Sequence, residues 1–421
     1  MTAIVFYFQV HQPNRLNRLR FEDVGAGREY FDDTLNKLIA ERVAERCYLA
    51  MNELIGEVIA DTGGRFRCSF ALSGTLLTQL ERWAPKALDS FAALARTGAV
   101  EFVCETGYHS LAAVGKPAGD MQEFVDQVEE QQKRLKELFG LAPTTFRNTE
   151  LILDNRIAKT VEDLGFDCLL GEGVDRLLEW RSPRRVYRPK GCTRLKLLLR
   201  DYLFSDDIAF RFSNRQWPEY PLRAERYAEW LHRADPEDAF IGLFMDYETF
   251  GEHQNKSTGI LEFMRHLPRF VLADERFSFR TPAEVAASHE PVAELDIPHT
   301  ISWADKERDL SAWLENDLQK DAHARLYQLL PRARAAAASG RPEFLALWRK
   351  LSTSDHVYYM STKWHSDGDV HEYFTPYDSP HDSFIIFMHV LDDLSARIDD
   401  ALAGGRTLGR HSNTKKKRTA T

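Results

Sequence analysis

Short apolar runs alternate with stretches of helical periodicity over about the first 280 residues, the pattern of repeated βα units. Strands are predicted at residues 4–10, 66–72, 100–105, 144–150, 167–170, 195–200, 239–246 and 277–279. The run at 239–246, AFIGLFMD, is continuously apolar until its last residue, as in a parallel strand covered on both faces. Helical patterns fall between the strands, at 33–60, 74–97, 120–139, 155–164 and 258–273, with Gly140 placed to stop the third of them.

From about residue 305 the strand pattern fades, and long helices are predicted over 320–352 and 380–402. The Ala-rich stretch before Gly340 reads as the end of a helix. The fold class expected is therefore α/β: a TIM-like catalytic barrel over residues 1–300, then a C-terminal helical region over 301–403 that contributes to the cleft. A flexible basic tail is expected over 404–421. The chain shows no internal repeat or low-complexity segment.

Composition narrows the functional classes. The net charge of −9 over 421 residues gives no electrostatic footprint for nucleic acid or an anionic membrane. Lys415, Lys416, Lys417 and Arg418 form a basic run that reads as a solvated end. The five cysteines, an odd count without CxxC spacing, argue against a disulfide framework or a zinc-thiolate site and fit free thiols in a reducing cytoplasm. The N-terminus reads as a strand rather than a signal peptide, and no apolar run reaches the ~20 residues that span a bilayer.

The chemistry lies where strands end. His11-Gln12-Pro13 follows the first strand, Glu105 to His109 the third, Arg147 to Glu150 the fourth, and Asp246 to His253 the strand at 239–246. A parallel barrel gathers such strand ends on one rim. Two carboxylates there suit glycoside hydrolysis, one attacking the anomeric carbon and the other protonating the leaving oxygen. Their pKa values must then be pushed apart. Arg147 is a candidate to keep Glu150 ionised, and an apolar wall or Glu248 to raise Asp246. Plain alternatives exist for single residues: a Glu after a strand often caps a helix, and His11 alone suits a satisfied core histidine. Asp246 ends so apolar a strand that its charge needs a partner or a task.

Trp303, Trp313 and Trp364 are candidate sugar-stacking platforms, with core packing the default for any Trp. They are interleaved with Asp305, Asp309, His365, Asp367 and Asp369. Asp367-Gly368-Asp369 is alternatively a calcium-like loop, without the EF-hand spacing.

HQP at 11–13, VEFVCETGYHS at 100–110, FRNTELILDN at 146–155, FMDYETFGEHQ at 244–254 and SWADKERDLSAWLEN at 302–316 occur in order and resemble five conserved regions of glycoside hydrolase family 57. Within it they look closest to the α-amylase-like group. The resemblance implies an incomplete TIM-like (β/α)7 barrel and a retaining α-1,4-glucan hydrolase acting on starch, glycogen or maltooligosaccharides. It implies Glu150 as nucleophile and Asp246 as general acid/base, and substrate binding by His11, Gln12, Glu105, His109, Arg147, Trp303, Asp305 and Asp309. It implies an α-glucan as partner, with no metal and no organic cofactor.

Three alternatives remain open at this point. One is an α-glucan transglycosylase, of the 4-α-glucanotransferase or branching type. The second is a metal-dependent hydrolase of the polysaccharide deacetylase or α-mannosidase kind. His11, His109 and Asp246 would have to serve as its ligands, in a chain without an HxxxH pair or an Asp-Asp motif after the first strand. The third is a glycan-binding protein without turnover.

Overall fold

The computed structural model describes residues 1–114, 120–363 and 375–403. Its centre is β1 (Thr2–Val10), whose nine residues are all buried. β1 pairs in parallel with β2 (Cys68–Leu72) on one side and β8 (Phe240–Asp246) on the other, and its first residues also pair with β9 (Phe277–Phe279). β3 (Val100–Phe102) extends the sheet beyond β2. The register sets Gln9 beside Asp246 and Val10 beside Leu72, so these strands finish at one level.

A second five-stranded sheet runs in the order β10 (Ala293–Leu295), β6 (Tyr187–Pro189), β7 (Lys196–Arg200), β5 (Cys168–Glu172), β4 (Thr145–Arg147). All its pairings are parallel except β6 with β7. The sheets touch at both flanks. Cys104 N–H donates to Thr145 O at 2.9 Å and Arg147 N–H to Cys104 O at 2.8 Å, while Asp201 N–H reaches Gly242 O at 2.8 Å. The fold class is thus α/β with parallel sheets, as expected.

The pleat sorts side chains into layers. On β1, Ile4, Phe6, Phe8 and Val10 face an outer apolar layer, packed with Tyr48, Met51 and Ile55 of the helix that follows. Ala3, Val5 and Tyr7 face inward, to a smaller cluster shared with Ala71, Val103, Leu170, Leu198 and Phe244 from both sheets. This period-2 division is why a nine-residue strand carries no exposed face.

The helix Met121–Phe139 starts at Asp120, whose side chain accepts from Glu123 N–H, and stops at Gly140 with φ 71°, as its sequence predicts. The predicted helix over 320–352 divides into Asp317–Ala338 and Pro342–Leu351, because Gly340 takes φ 91° and Pro342 begins a new first turn. With Pro380–Leu402 these helices share one core with the outer residues Phe146, Leu169 and Leu197 of β4, β5 and β7. Among the described residues, no helix is long and apolar enough to cross a membrane.

Several features differ from the expected elements, among them the helices Ala224–Leu231 and Pro282–Ser288, which lie outside the predicted helical stretches. β6 and β10 escape a pattern search because each has three residues and β6 ends in a proline. The strand predicted over 144–150 stops at Arg147, and Glu150 lies in a 3-10 turn, Thr149–Leu151, with φ 57°.

Candidate active site

The inner rows of the strands lead directly to the polar residues. One pleat step beyond the inner cluster, Tyr7 is followed by Gln9, Ala71 by Ser73, Val103 by Glu105, Leu170 by Glu172, Leu198 by Arg200 and Phe244 by Asp246. On β4 the outward Phe146 leaves Arg147 on the inner parity. Seven consecutive inward positions at one end of the strands therefore carry hydrogen-bonding or charged groups over an apolar floor.

Glu150 is held at both carboxylate oxygens. His109 Nε2 lies 3.0 Å from Oε1, and the Trp303 indole N–H donates to Oε2 at 2.6 Å. Trp303 N–H also donates to Glu150 O at 3.1 Å, which ties the two backbones together. Glu150 and Leu151 both take left-handed φ, of 57° and 52°, and His109 takes 49°. Such backbone is strained for residues with a Cβ and persists only where surrounding contacts hold it. Burial alone would raise the Glu150 carboxyl. The hydrogen bond and charge of His109, then Arg147 and the Trp303 N–H, outweigh it and hold Glu150 below its ordinary pKa.

His109 is itself braced. Its Nδ1 lies 2.6 Å from Glu105 Oε2, Glu105 Oε1 accepts from Gln9 Nε2 at 2.8 Å, and Gln9 Oε1 accepts from Tyr7 Oη at 2.6 Å. Burial works against the charged ring, but Glu105 and Glu150 together push the His109 pKa up to about 10. An imidazolium that donates from both nitrogens satisfies both carboxylates.

Asp246 moves the opposite way from Glu150. Burial first, and the charge of Glu150 second, raise its pKa to about 7, against the pull of Arg147, His109 and Arg200. The apolar wall anticipated for it thus acts, with Glu150 as the leading negative neighbour. Glu248, raised to about 8 by burial and by Asp246, accepts from the Tyr48 hydroxyl at 2.5 Å. Arg147 is fully buried and stacks 4.7 Å from the Trp303 ring, and none of its guanidinium nitrogens has a hydrogen-bond partner among the described residues.

The remaining sequence candidates separate. The His11 ring stacks on His109 at 4.1 Å, with Nδ1 2.7 Å from Ser73 Oγ and Nε2 3.0 Å from Asp355 Oδ2. Gln12 is buried and accepts from Arg15 at 3.2 Å, outside the hydrogen-bonded group around Glu150. Asp305 sits at φ 55° on the Trp303 loop and pairs with Lys363 at 2.9 Å. Asp309 bonds locally, its carboxylate accepting from Ser311 N–H at 2.8 Å. Trp313, weighed as a sugar platform, is core instead: it is 1% exposed and packs near Tyr358. Trp364, His365, Asp367 and Asp369, and the basic tail, lie outside the described residues.

Gln9, Ser73, Glu172, Arg200 and Asp355 were not found from sequence. The first four follow from inner-row parity, since CLLGE and KLLLR each end an apolar strand in a charge just as FIGLFMD does. Asp355 comes from a C-terminal helical turn, Asp355–Tyr358, and carried no local signal. Among the described residues, no group of three or more His, Cys, Asp or Glu is arranged to hold a metal ion. Both ring nitrogens of His11 are already engaged by protein groups.

The chain is similar to several known proteins. The "Putative alpha-amylase" of Methanocaldococcus jannaschii is 40% identical over 409 residues, covering 95% of this chain and 85% of that protein. The GH57-type branching enzyme of Pyrococcus horikoshii superposes with a TM-score of 0.67 at 12% identity, covering 96% of this chain and 92% of that one. The 4-alpha-glucanotransferase of Thermococcus litoralis gives 0.62 at 17% identity, and the match covers 87% of this chain but only 56% of that enzyme. At such identities the two structures speak for the fold alone. Residues 5–298 match Glycosyl hydrolase family 57, and with a 40% identical relative over nearly its whole length the chain belongs to that family of glycoside hydrolases.

Proposed function

We propose that this glycoside hydrolase cleaves α-1,4-glucans with retention, Glu150 acting as nucleophile and Asp246 as general acid/base. The observation that carries the reading is the opposed tuning of two electrostatically coupled carboxyls: Glu150 is held below its ordinary pKa, and Asp246 is raised to about 7. A retaining site needs one carboxyl ionised to attack and the other protonated to donate.

In the first step a Glu150 oxygen bonds to the anomeric carbon while the glycosidic bond breaks, and the Asp246 proton passes to the leaving oxygen. In the second step Asp246, now ionised, removes a proton from a water whose oxygen displaces Glu150. An incoming sugar hydroxyl in place of that water gives transfer rather than hydrolysis. His109 remains protonated throughout and stabilises the departing carboxylate. Arg147, buried against Trp303, is suited to offset the three carboxylates around it, Glu105, Glu150 and Asp246. His11, Glu105 and His109 spend their polar atoms mainly on one another and on Glu150, which favours a positioning role for them over direct sugar contact.

We read the seven strands β1–β5, β7 and β8 as one (β/α)7 barrel over residues 1–300, supported by the hydrogen bonds that join the sheets at both flanks. The described residues of 301–403 are then the helical region that closes the cleft, with Trp303 and Asp355 as its contributions. Five buried free thiols suit a cytoplasmic setting. The test is reducing-sugar release from amylose or glycogen. Glu150→Gln and Asp246→Asn should each abolish it while oligosaccharide binding persists, and wild-type turnover by either variant would refute the assignment.

A further inference from the structure

A second buried charge cluster lies beside the site. Glu172, the last residue of β5, is fully buried. Its Oε2 lies 3.2 Å from Arg200 Nη1, and its Oε1 pairs with Arg308 Nη1 at 3.1 Å and accepts from Gly173 N–H at 2.8 Å. The two arginines lead to the same tryptophan by different routes. Arg200, fixed by Phe244 O at 2.8 Å and Asp206 at 2.5 Å, places its guanidinium 5.7 Å from the Trp303 ring, which Arg147 also approaches at 4.7 Å.

Arg308 belongs to the Trp303 loop itself. That loop closes on itself through Ser302 N–H to Arg308 O at 3.2 Å and Ser302 Oγ to Asp309 O at 2.6 Å. Arg308 takes φ 49° and stacks 3.7 Å from the Tyr202 ring, and Arg176 donates to the carbonyls of Glu307 and Arg308 at 2.6 and 2.9 Å. The loop is therefore pinned at one end by Trp303 on Glu150, and at the other by the ion pair of Arg308 with Glu172 together with Arg176 and Tyr202.

We propose that Glu172 is a positioning residue for the nucleophile, acting through Arg308 and Arg200 on Trp303, and through the Trp303 indole N–H on Glu150 Oε2. The proposal rests on Glu150 being the nucleophile. Replacing the Glu172 carboxyl by an amide weakens its hold on buried Arg200 and partly buried Arg308 and removes one of the anchors of a strained loop. The indole N–H then drifts from Glu150, which loses one of its two fixed contacts. A displacement near 1 Å in such a contact is enough to cost on the order of 10–100-fold in rate.

The test is a double-mutant cycle on maltoheptaose, with Glu172→Gln, Trp303→Phe and both together, each followed by kcat, KM, the acid limb of the pH profile and tryptophan emission. Glu172→Gln should lower kcat about tenfold or more with KM little changed. It should move the acid limb upward, because Glu150 has lost a donor. Its loss should vanish in the Trp303→Phe background, since both changes break one pathway. Unchanged kcat in folded Glu172→Gln, or losses that multiply in the double variant, would overturn the proposal. A merely structural role would lower the melting temperature and leave the acid limb in place, which overturns it too. Should Glu172→Gln fail to fold, Arg308→Met replaces it in the same cycle with the same two outcomes. The emission difference between Glu172→Gln and the double variant isolates Trp303 whatever the role of Glu150. A shifted Trp303 emission alongside a still active Glu150→Gln would keep the coupling and reject the nucleophile instead.

Discussion

His109 Nε2 meets Glu150 Oε1 at 3.0 Å while its other ring nitrogen meets Glu105, so one buried imidazolium lies between two carboxylates. This arrangement separates the roles of the two acids. Glu150 gains a permanent cation at hydrogen-bond distance, whereas Asp246 has burial and the Glu150 charge against its ionised form. Replacing His109 by Gln keeps a donor and removes the charge. The acid limb of kcat/KM should move upward, with kcat falling on the order of 10²-fold. A limb that stays in place in the pH profile would remove His109 from the control of Glu150.

The basic limb follows from Asp246. The free enzyme is competent with Glu150 ionised and Asp246 protonated, so kcat/KM should fall as pH rises through about 7. In Asp246→Asn that limb should disappear. The residual activity should be far higher on an α-glucoside whose phenol leaves without protonation than on maltooligosaccharides. Equal losses on both substrates would argue against a proton donor at this position.

The same raised pKa has a consequence for stability. A carboxyl whose folded pKa exceeds its unfolded value stabilises the fold fully below the unfolded pKa, near 4, and loses that contribution as pH rises through the folded value. For Asp246 the window runs from its ordinary 3.8 to about 7. Asp246→Asn should therefore be more stable than the wild type at pH 8, by up to about 4 kcal/mol, and close to it at pH 4. Thermal unfolding at the two pH values reads the difference. A stabilisation that does not grow with pH would contradict the burial argument.

The His11 ring nitrogens are committed to Ser73 and Asp355, which leaves no lone pair for a metal ion at the first strand end. Dialysis against EDTA should leave glucan turnover unchanged. Loss of activity, restored by a divalent metal, would favour the deacetylase- or mannosidase-like alternative.

Much of this site was legible in the sequence because it obeys one rule. Apolar strands of a buried sheet must alternate between two covered faces, so a charge at the end of FIGLFMD is conspicuous, and Glu105, Arg147 and Asp246 were found that way. The same rule also marks Gln9, Glu172 and Arg200, polar residues on the inner parity at or next to the ends of their strands. Three things were beyond it. The placement of Glu150 in a left-handed turn depends on Trp303, 153 residues away. The bond from Asp355 to His11 spans 344 residues and leaves no local trace. Trp313 resembles Trp303 in its polar surroundings, yet its neighbours in space are apolar helices, and only packing distinguishes the two.

The most direct measurement is to trap the glycosyl-enzyme. A fluorinated α-glucosyl fluoride, slow to leave the enzyme once attached, should form a stoichiometric ester, and peptide mass spectrometry should place the sugar on Glu150, with no labelling in Glu150→Gln. A sugar found on another side chain, or labelling that survives Glu150→Gln, would contradict the account.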